Sequence, residues 1–124
     1  MIEYLFIGLG GALGAMSRSL IGSILPTVLF SNFPLRIIAV NIIGCFLMGI
    51  ITEVFALYYS PGSNIQLFLT TGFLGGFTTF SSFALDVGLL TEKNLNVVAI
   101  SYVASSVILG IAAFFIGAKI IRLI

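Results

Sequence analysis

Charged residues are scarce in this chain, and histidine and tryptophan are missing altogether. Five basic and four acidic residues make up 7% of the sequence, against about 25% in a soluble domain, and 60% of the residues are hydrophobic. Nine charged residues are too few to cover the surface of a globular protein in water. Lipid must therefore cover most of the surface of this protein. Without histidine there is no histidine base, a single cysteine cannot build a cysteine zinc cluster, and no glycine-rich loop carries a lysine for phosphate. These absences exclude the common kinds of enzyme site.

The remaining composition narrows the possible partners. A net charge of +1 predicts neither a nucleic-acid partner nor a polybasic membrane patch. Cys45 stands alone, which excludes an intrachain disulfide, and we interpret it as a small packing residue. A cleavable signal peptide would need a basic start. Because no lysine or arginine precedes Arg18, we interpret the first segment as a permanent helix.

Long uncharged stretches alternate with turn signals along the chain. Several stretches reach the roughly 20 mainly apolar residues that a membrane-spanning helix needs. Turn residues interrupt them at 29–34, at 60–64 and at 91–96. The pattern predicts an all-α membrane protein with a single four-helix domain over residues 1–124. Its transmembrane helices are expected at about 2–28, 34–59, 65–90 and 95–122.

Lysine and arginine do not favour either orientation in the membrane. Four spans place both termini on one side, and that side carries Lys119 and Arg122. The opposite side carries Arg36 and Lys93, and also Arg18 if it is counted. Because orientation depends on the difference between the two sides, the chain could insert both ways and form an antiparallel dimer. A weak bias that the count misses is the alternative.

The third helix contains a segment that a continuous helix would not favour. Each glycine of Gly75-Gly76 costs about 1 kcal/mol relative to alanine, and the pair lies about ten residues into the span. Non-helical backbone at that depth must be buried in protein or face water, and its freed carbonyls can form ion sites. We therefore predict that helix 3 is broken at mid-membrane. The alternative is a kinked helix whose hydroxyl groups bond to their own backbone.

Two polar side chains inside the membrane need partners. The amide of Asn41 in helix 2 either donates to an anion or clasps a neighbouring helix. Arg18 is an intramembrane charge, which makes function the first hypothesis. It lies roughly 22 Å along helix 1 from Glu3, toward the far membrane surface. There it either pairs with Asp86 as a structural charge or contributes to a positive vestibule that draws anions.

Aromatic and hydroxyl groups of helices 3 and 4 also have two interpretations. Phe80 and Phe83 are three residues apart and lie near one helix face. Such rings usually pack or face lipid, but their electropositive edges could contact an anion. Tyr102 and Ser106 are one turn apart on helix 4, where they either line a pathway or bond another helix.

Three motifs resemble one known family. They are Gly-Gly-Ala-Leu-Gly-Ala-Met-Ser-Arg at 10–18, Val-Asn-Ile-Ile-Gly-Cys-Phe at 40–46 and Gly-Phe-Leu-Gly-Gly-Phe-Thr-Thr-Phe-Ser-Ser-Phe at 72–83. Together with the four helices, they resemble the Fluc (CrcB) family of microbial fluoride channels, and the third motif is highly specific. The resemblance implies passive export of toxic fluoride across the inner membrane of a microbe. It also implies an antiparallel, dual-topology homodimer with two pores.

The resemblance further implies roles for individual residues. Backbone carbonyls of Gly75 and Thr78, at the broken centre of helix 3, would hold a structural sodium ion (Na+) on the dimer axis. The fluoride pore would be lined by Asn41, Phe80, Phe83, Tyr102 and Ser106. The sequence departs from the family pattern at two places: Arg36-Ile37 stands where members often carry Gly-Thr, and Ser19 stands where they usually carry tyrosine.

Two other functions compete with this one. A small multidrug-resistance-type, proton-coupled exporter also has four helices, but it relies on a carboxylate deep in helix 1 and on a tryptophan. The segment around Gly14 contains no such acid, and the chain has no tryptophan. A holin-like pore-forming or assembly subunit is the third possibility, and the polar segment around Gly75 argues against it.

Overall fold

The computed structural model describes residues 1–124, apart from the side chain of Ser31. Four segments are long and apolar enough to cross a membrane, which confirms the predicted architecture. The helices are α1 (Ile2–Ile24), α2 (Leu35–Tyr58), α3 (64–77), α4 (Phe80–Glu92) and α5 (Asn96–Leu123), and α3 and α4 together make the third span. Helix α3 consists of α-helical Asn64–Leu67, π-helical Phe68–Leu74 and α-helical Gly75–Phe77.

A proline ends α1 earlier than the sequence predicts. The helix is expected to reach about residue 28 but ends at Ile24, and Leu25 is extended (φ −81°, ψ 145°). Pro26 follows, and a residue before proline disfavours helical backbone because the ring clashes with it. A short 3-10 turn at Phe30–Asn32 then leads to α2. The first span is therefore shorter than its apolar stretch.

Glycine lets two pairs of helices approach backbone to backbone. A Cβ atom at Gly14 would collide with the backbone of Phe73, so α1 and α3 touch where only glycine fits. A Cβ atom at Gly49 of α2 would likewise collide with the backbone of Phe114 in α5. Small residues bring membrane helices together in this way because lipid provides no hydrophobic force between them. Many large apolar side chains point outward instead, as expected of a surface that faces lipid.

The third span is broken at mid-membrane, as predicted, but at Thr78-Thr79 rather than at the glycine pair. Thr78 (φ −81°, ψ 158°) and Thr79 (φ −152°, ψ 117°) are extended, whereas Gly75 and Gly76 are helical. The glycines serve packing, because a Cβ atom at Gly76 would collide with the backbone of α1. The Thr79 hydroxyl accepts a hydrogen bond from the N–H of Ser82 (3.1 Å) and caps the start of α4.

Candidate functional site

A cavity of about 320 Å³ lies beside the break, between α2, α4 and α5. It brings together five residues that the sequence singles out, namely Asn41, Thr78, Phe80, Phe83 and Ser106. Much of the remaining wall is apolar, and the lining residues that the structure describes are all uncharged. The site is therefore a mainly apolar chamber with a few polar groups at the centre of the membrane.

The side-chain amide of Asn41 forms hydrogen bonds to the backbone at the break through both its nitrogen and its oxygen. Its Nδ2 donates to the carbonyl of Thr79 (3.0 Å), and its Oδ1 accepts from the N–H of Thr79 (2.8 Å). Of the two interpretations left open by the sequence, the helix clasp is observed. An asparagine amide carries two N–H groups, so the bond to Thr79 leaves one N–H for the cavity that Asn41 lines. The geometry therefore leaves room for both roles.

Arg18 reaches the break and not Asp86. Its Nη1 donates to the carbonyl of Thr78 (3.1 Å), so the Arg18–Asp86 pair, one of the two interpretations left open by the sequence, is not formed among the described residues. The carboxylate of Asp86 instead accepts a hydrogen bond from the hydroxyl of Tyr102 (2.8 Å). The reason is local: the end of α3 has carbonyls without helical partners, and a cation is stabilised at that negative helix end. Arg18 thus carries a positive charge to Thr78, a wall residue of the cavity.

Phe80 and Phe83 form a tilted aromatic pair at the start of α4. Their ring centroids are 5.5 Å apart with an interplanar angle of 45°, and both residues line the cavity. Phe80 is 80% exposed on the single chain, whereas the ring of Phe83 packs 5.2 Å from that of Tyr102. The predicted shared face is confirmed. Because Phe80 lies at mid-membrane, lipid or another protein surface must cover it.

Tyr102 lies outside the cavity. It is fully buried, its hydroxyl donates to Asp86, and Phe33 meets its ring edge-on at a centroid distance of 5.5 Å. These contacts agree with the structural interpretation, in which Tyr102 bonds a neighbouring helix. Its place in a pathway stays a prediction.

Ser106 lines the cavity and has a hydroxyl group without a described hydrogen-bond partner. Its Oγ is buried without a hydrogen-bond partner among the described residues. The neighbouring Ser105 hydroxyl, by contrast, donates to the carbonyl of Ser101 one turn earlier on α5. A buried polar group without a partner costs about 1–3 kcal/mol. Because Ser106 lines the cavity, its unpartnered hydroxyl points to a ligand there that accepts hydrogen bonds.

Sequence reasoning missed Thr79 as a site residue. Thr79 lines the cavity, and its hydroxyl donates to Ser82 Oγ (3.1 Å) and lies 3.3 Å from Ser81 Oγ. The signal was present, because a threonine directly before an apolar helical segment is a typical helix start. Recognising it would have placed the break two or three residues after the glycine pair.

The two residues expected to hold sodium would do so through backbone carbonyls, because glycine has no side chain and the hydroxyl of Thr78 already donates to the carbonyl of Leu74 (2.9 Å). Gly75 is exposed on α3, and the carbonyl of Thr78 already accepts from Arg18. A carbonyl oxygen has two lone pairs, so Thr78 can accept a second partner. Within the described residues, no group of three or more histidine, cysteine, aspartate or glutamate side chains could hold a metal. The residues therefore fit a weakly held monovalent cation better than a divalent one.

The fold and the site define a multi-pass membrane protein with a mainly apolar cavity, containing a few polar groups, at a broken third span. Residues 5–118 match the family model described as CrcB-like protein, Camphor Resistance (CrcB). Because the match covers most of its length, the chain belongs to this family.

Curated bacterial relatives match over nearly the full length. A protein of Rhodopseudomonas palustris named "Fluoride-specific ion channel FluC" is 43% identical over 123 residues, which is 99% of this chain and 99% of that protein. Proteins of the same name from Rhizobium etli and Rhizobium johnstonii are 40% and 39% identical over 122 residues, and each match covers 98% of both chains. This similarity confirms the family predicted from the motifs.

Proposed function

We propose that this protein is a fluoride channel through which the anion leaves the cell passively. The cavity beside the break carries the proposal, because it is lined by Ser106, whose hydroxyl has no described partner, and by Asn41, whose amide keeps a second N–H, and by no described carboxylate. The rings of Phe80 and Phe83 stand beside these donors. The names of the relatives point to the same ion.

The donors in the cavity suit an ion that must bind and leave again. Fluoride is small and strongly hydrated, so a selective pore must replace part of its water shell. Hydrogen bonds to an anion are roughly twice as strong as neutral ones, and phenyl ring edges add a mild positive potential. A fixed cation in the wall would hold the ion too tightly for conduction. Arg18 stays on the carbonyl of Thr78 and adds positive potential from outside the lining.

The proposed functional unit is an antiparallel homodimer. Phe80, Ser81 and Gly75 are exposed near the middle of the third span in the single chain. A hydroxyl or backbone group in contact with lipid has no water to bond, whereas a second copy in the opposite orientation would cover these groups. Two such copies would form two equivalent pores. The balanced lysine and arginine count permits both orientations.

A structural sodium ion between the two copies is part of this proposal. Carbonyls of Gly75 and Thr78 from both copies would hold it, and the ion would neutralise carbonyl oxygens that the break leaves without helical partners. Arg18 shares the oxygen of Thr78, which weakens that ligand toward a cation. A monovalent ion therefore suits the site better than a divalent one.

The membrane potential gives the transport its direction. In a weakly acidic medium some fluoride is protonated to HF, which crosses the bilayer and dissociates inside the less acidic cell. A passive exit then lets a potential that is negative inside drive the anion out, at about 2.3 kcal/mol per charge for each 100 mV. No catalytic step is required, so the protein acts as a channel and not as an enzyme.

A proton-coupled exporter is the alternative, and the site does not favour it. Such a transporter needs a titratable group in its pathway. The single acid of α1 is Glu3, which is exposed in the first helical turn. Asp86 lies outside the cavity and bonds to Tyr102.

A fluoride-selective electrode distinguishes these functions. Liposomes that contain potassium fluoride and the purified protein are expected to release fluoride when valinomycin supplies a path for potassium, at equal pH inside and outside. Release that requires an imposed pH gradient would favour the exporter. No release under either condition would reject both functions, and protein-free liposomes give the background.

A further inference from the structure

A second cavity, of about 520 Å³, lies at the ends of α2 and α5, on the membrane side that carries the termini. Three charged residues line it, namely Glu53, Lys119 and Arg122, and the rest of the lining is apolar. Neither the proposed pores nor the break uses these charged residues.

The ion pair in this cavity leaves a net positive charge. Arg122 donates to Glu53 through two hydrogen bonds, from Nε to Oε1 (2.7 Å) and from Nη2 to Oε2 (3.1 Å). The side chain of Arg122 remains 67% exposed, while that of Glu53 is 12% exposed. A guanidinium carries five N–H groups, so three of them stay available. Lys119 is exposed and has no ion-pair partner among the described residues, which makes the cavity +1 overall.

Charge and hydrophobicity are ordered by depth in this cavity. Arg122 lies at the end of α5, Lys119 nearly one turn deeper and Phe115 about two turns deeper. The span from Arg122 to Phe115 is roughly 10 Å along the helix axis. A bilayer changes from headgroups to hydrocarbon over about 5–8 Å on each side, so the basic groups match the headgroup level and the apolar wall matches the acyl level.

We propose that this cavity binds an anionic phospholipid. The phosphate is held by Lys119 and by the free N–H groups of Arg122, and an acyl chain packs on Phe115 and Ala118. Glu53 holds the guanidinium through two bonds, which leaves three N–H groups of Arg122 free for the phosphate. The apolar half of the cavity selects a lipid, since a free phosphate ion would use only the basic half. This binding is independent of fluoride conduction.

The absence of tryptophan makes a local measurement possible. A Phe115→Trp variant places a single indole in the cavity, and its fluorescence is quenched by lipids with brominated acyl chains. The protein is reconstituted in phosphatidylcholine vesicles that contain either brominated phosphatidylglycerol or brominated phosphatidylcholine. A Tyr4→Trp variant is the matched control, because Tyr4 is exposed at the same membrane side beside Glu3 and far from any basic residue in sequence.

Brominated phosphatidylglycerol is expected to occupy the site next to the Phe115→Trp indole about fivefold more than brominated phosphatidylcholine. The reason is that each basic residue near the membrane surface attracts anionic lipid by about 1 kcal/mol, which corresponds to about a fivefold preference. The control indole should show no such preference. Lys119→Gln, which leaves the Arg122–Glu53 pair intact, should abolish the preference, and Lys93→Gln on the opposite side should preserve it.

Three results would overturn the proposal. Equal quenching by both lipids would mean that the cavity does not select charge. A preference that survives both Lys119→Gln and Arg122→Gln would mean that other groups cause it. Quenching by neither lipid would mean that a second copy of the chain fills the cavity. Gel filtration of the same sample would exclude misfolding as the cause if the protein still elutes as a single folded species.

Discussion

At the scale of single residues, the site depends on which hydrogen-bonding groups are already in use. Arg18 donates to Thr78, and Asn41 holds both backbone groups of Thr79, so these two side chains stabilise the break. Ser106 keeps a hydroxyl without a partner among the described residues. Groups with donors to spare are the ones expected to contact the ion.

Ser106→Ala is expected to reduce fluoride flux by about tenfold or more, since a hydrogen bond to a charged group contributes about 1.5–3 kcal/mol. Stability should not fall, because the variant removes a buried hydroxyl that has no described partner. Ser105→Ala is the matched control, since its hydroxyl bonds to its own helix. Electrode flux and thermal unfolding of both variants check the prediction. Equal flux in both would remove Ser106 from the pathway.

Replacing an aromatic ring of the cavity is expected to cut flux severely while the protein still folds. Phe80→Ile and Phe83→Ile keep much of the bulk but remove the electropositive ring edge. Phe115→Ile is a control, because Phe115 is exposed and does not line this cavity. Liposome flux is measured beside gel filtration. Unchanged flux in both cavity variants would mean that the rings only pack.

Residue types predicted the members of the site better than they predicted the bonds among them. Polar or paired aromatic residues inside a membrane need an explanation, which makes Asn41, Phe80 and Ser106 candidates, and they do meet in one cavity. The partner of Arg18 was not predictable, since it lies 60 positions away and depends on how α1 packs on α3. The bond between the hydroxyl of Tyr102 and Asp86 likewise depends on how α4 packs on α5.

At the scale of helices, glycine and threonine have different structural roles in the third span. Glycine allows close helix contact, and threonine ends one helix and caps the next. The sequence predicted a mid-membrane break because Gly75-Gly76 lowers helix propensity. Tertiary packing overrides that propensity, so the glycines stay helical and the break falls where Asn41 and the Thr79 hydroxyl can satisfy the freed backbone groups.

Gly14→Ala is expected to lower the free energy of unfolding by about 1–3 kcal/mol, because overpacking forces backbones apart. The added Cβ would collide with the backbone of Phe73. Gly8→Ala on the same helix is the control, since nothing lies within 4 Å of its Cβ position. That change should be neutral or stabilising by up to about 1 kcal/mol. Unfolding in a detergent titration compares them, and equal stability would contradict the close contact.

At the scale of the whole molecule, the balanced count of lysine and arginine and the exposed middle of the third span both agree with the proposed antiparallel dimer. A chain with no preferred orientation inserts both ways, and only opposite copies can meet as an antiparallel pair. The single chain leaves Phe80, Ser81 and Gly75 exposed at the depth where such a pair would meet. The sequence predicted the four spans and the charge balance, but a pairing surface depends on the fold and cannot be derived from residue counts.

Labelling with a membrane-impermeant maleimide tests the dual topology. In a Cys45→Ala background, Ser60→Cys places a thiol in the exposed turn between α2 and α3. About half of the molecules in intact cells should react from outside, because half face each way. Thr91→Cys, near the opposite end of the third span, should also react to about half. Full labelling of one variant and none of the other would establish a single orientation.

The most direct test of the central claim is the reversal potential of the purified protein in a planar bilayer with unequal fluoride concentrations on the two sides. A passive fluoride channel predicts that the current reverses at the fluoride equilibrium potential, and that it does not shift when a pH gradient is added. The current should also be lost in Phe80→Ile. A reversal potential that follows protons, or chloride in preference to fluoride, would contradict the account.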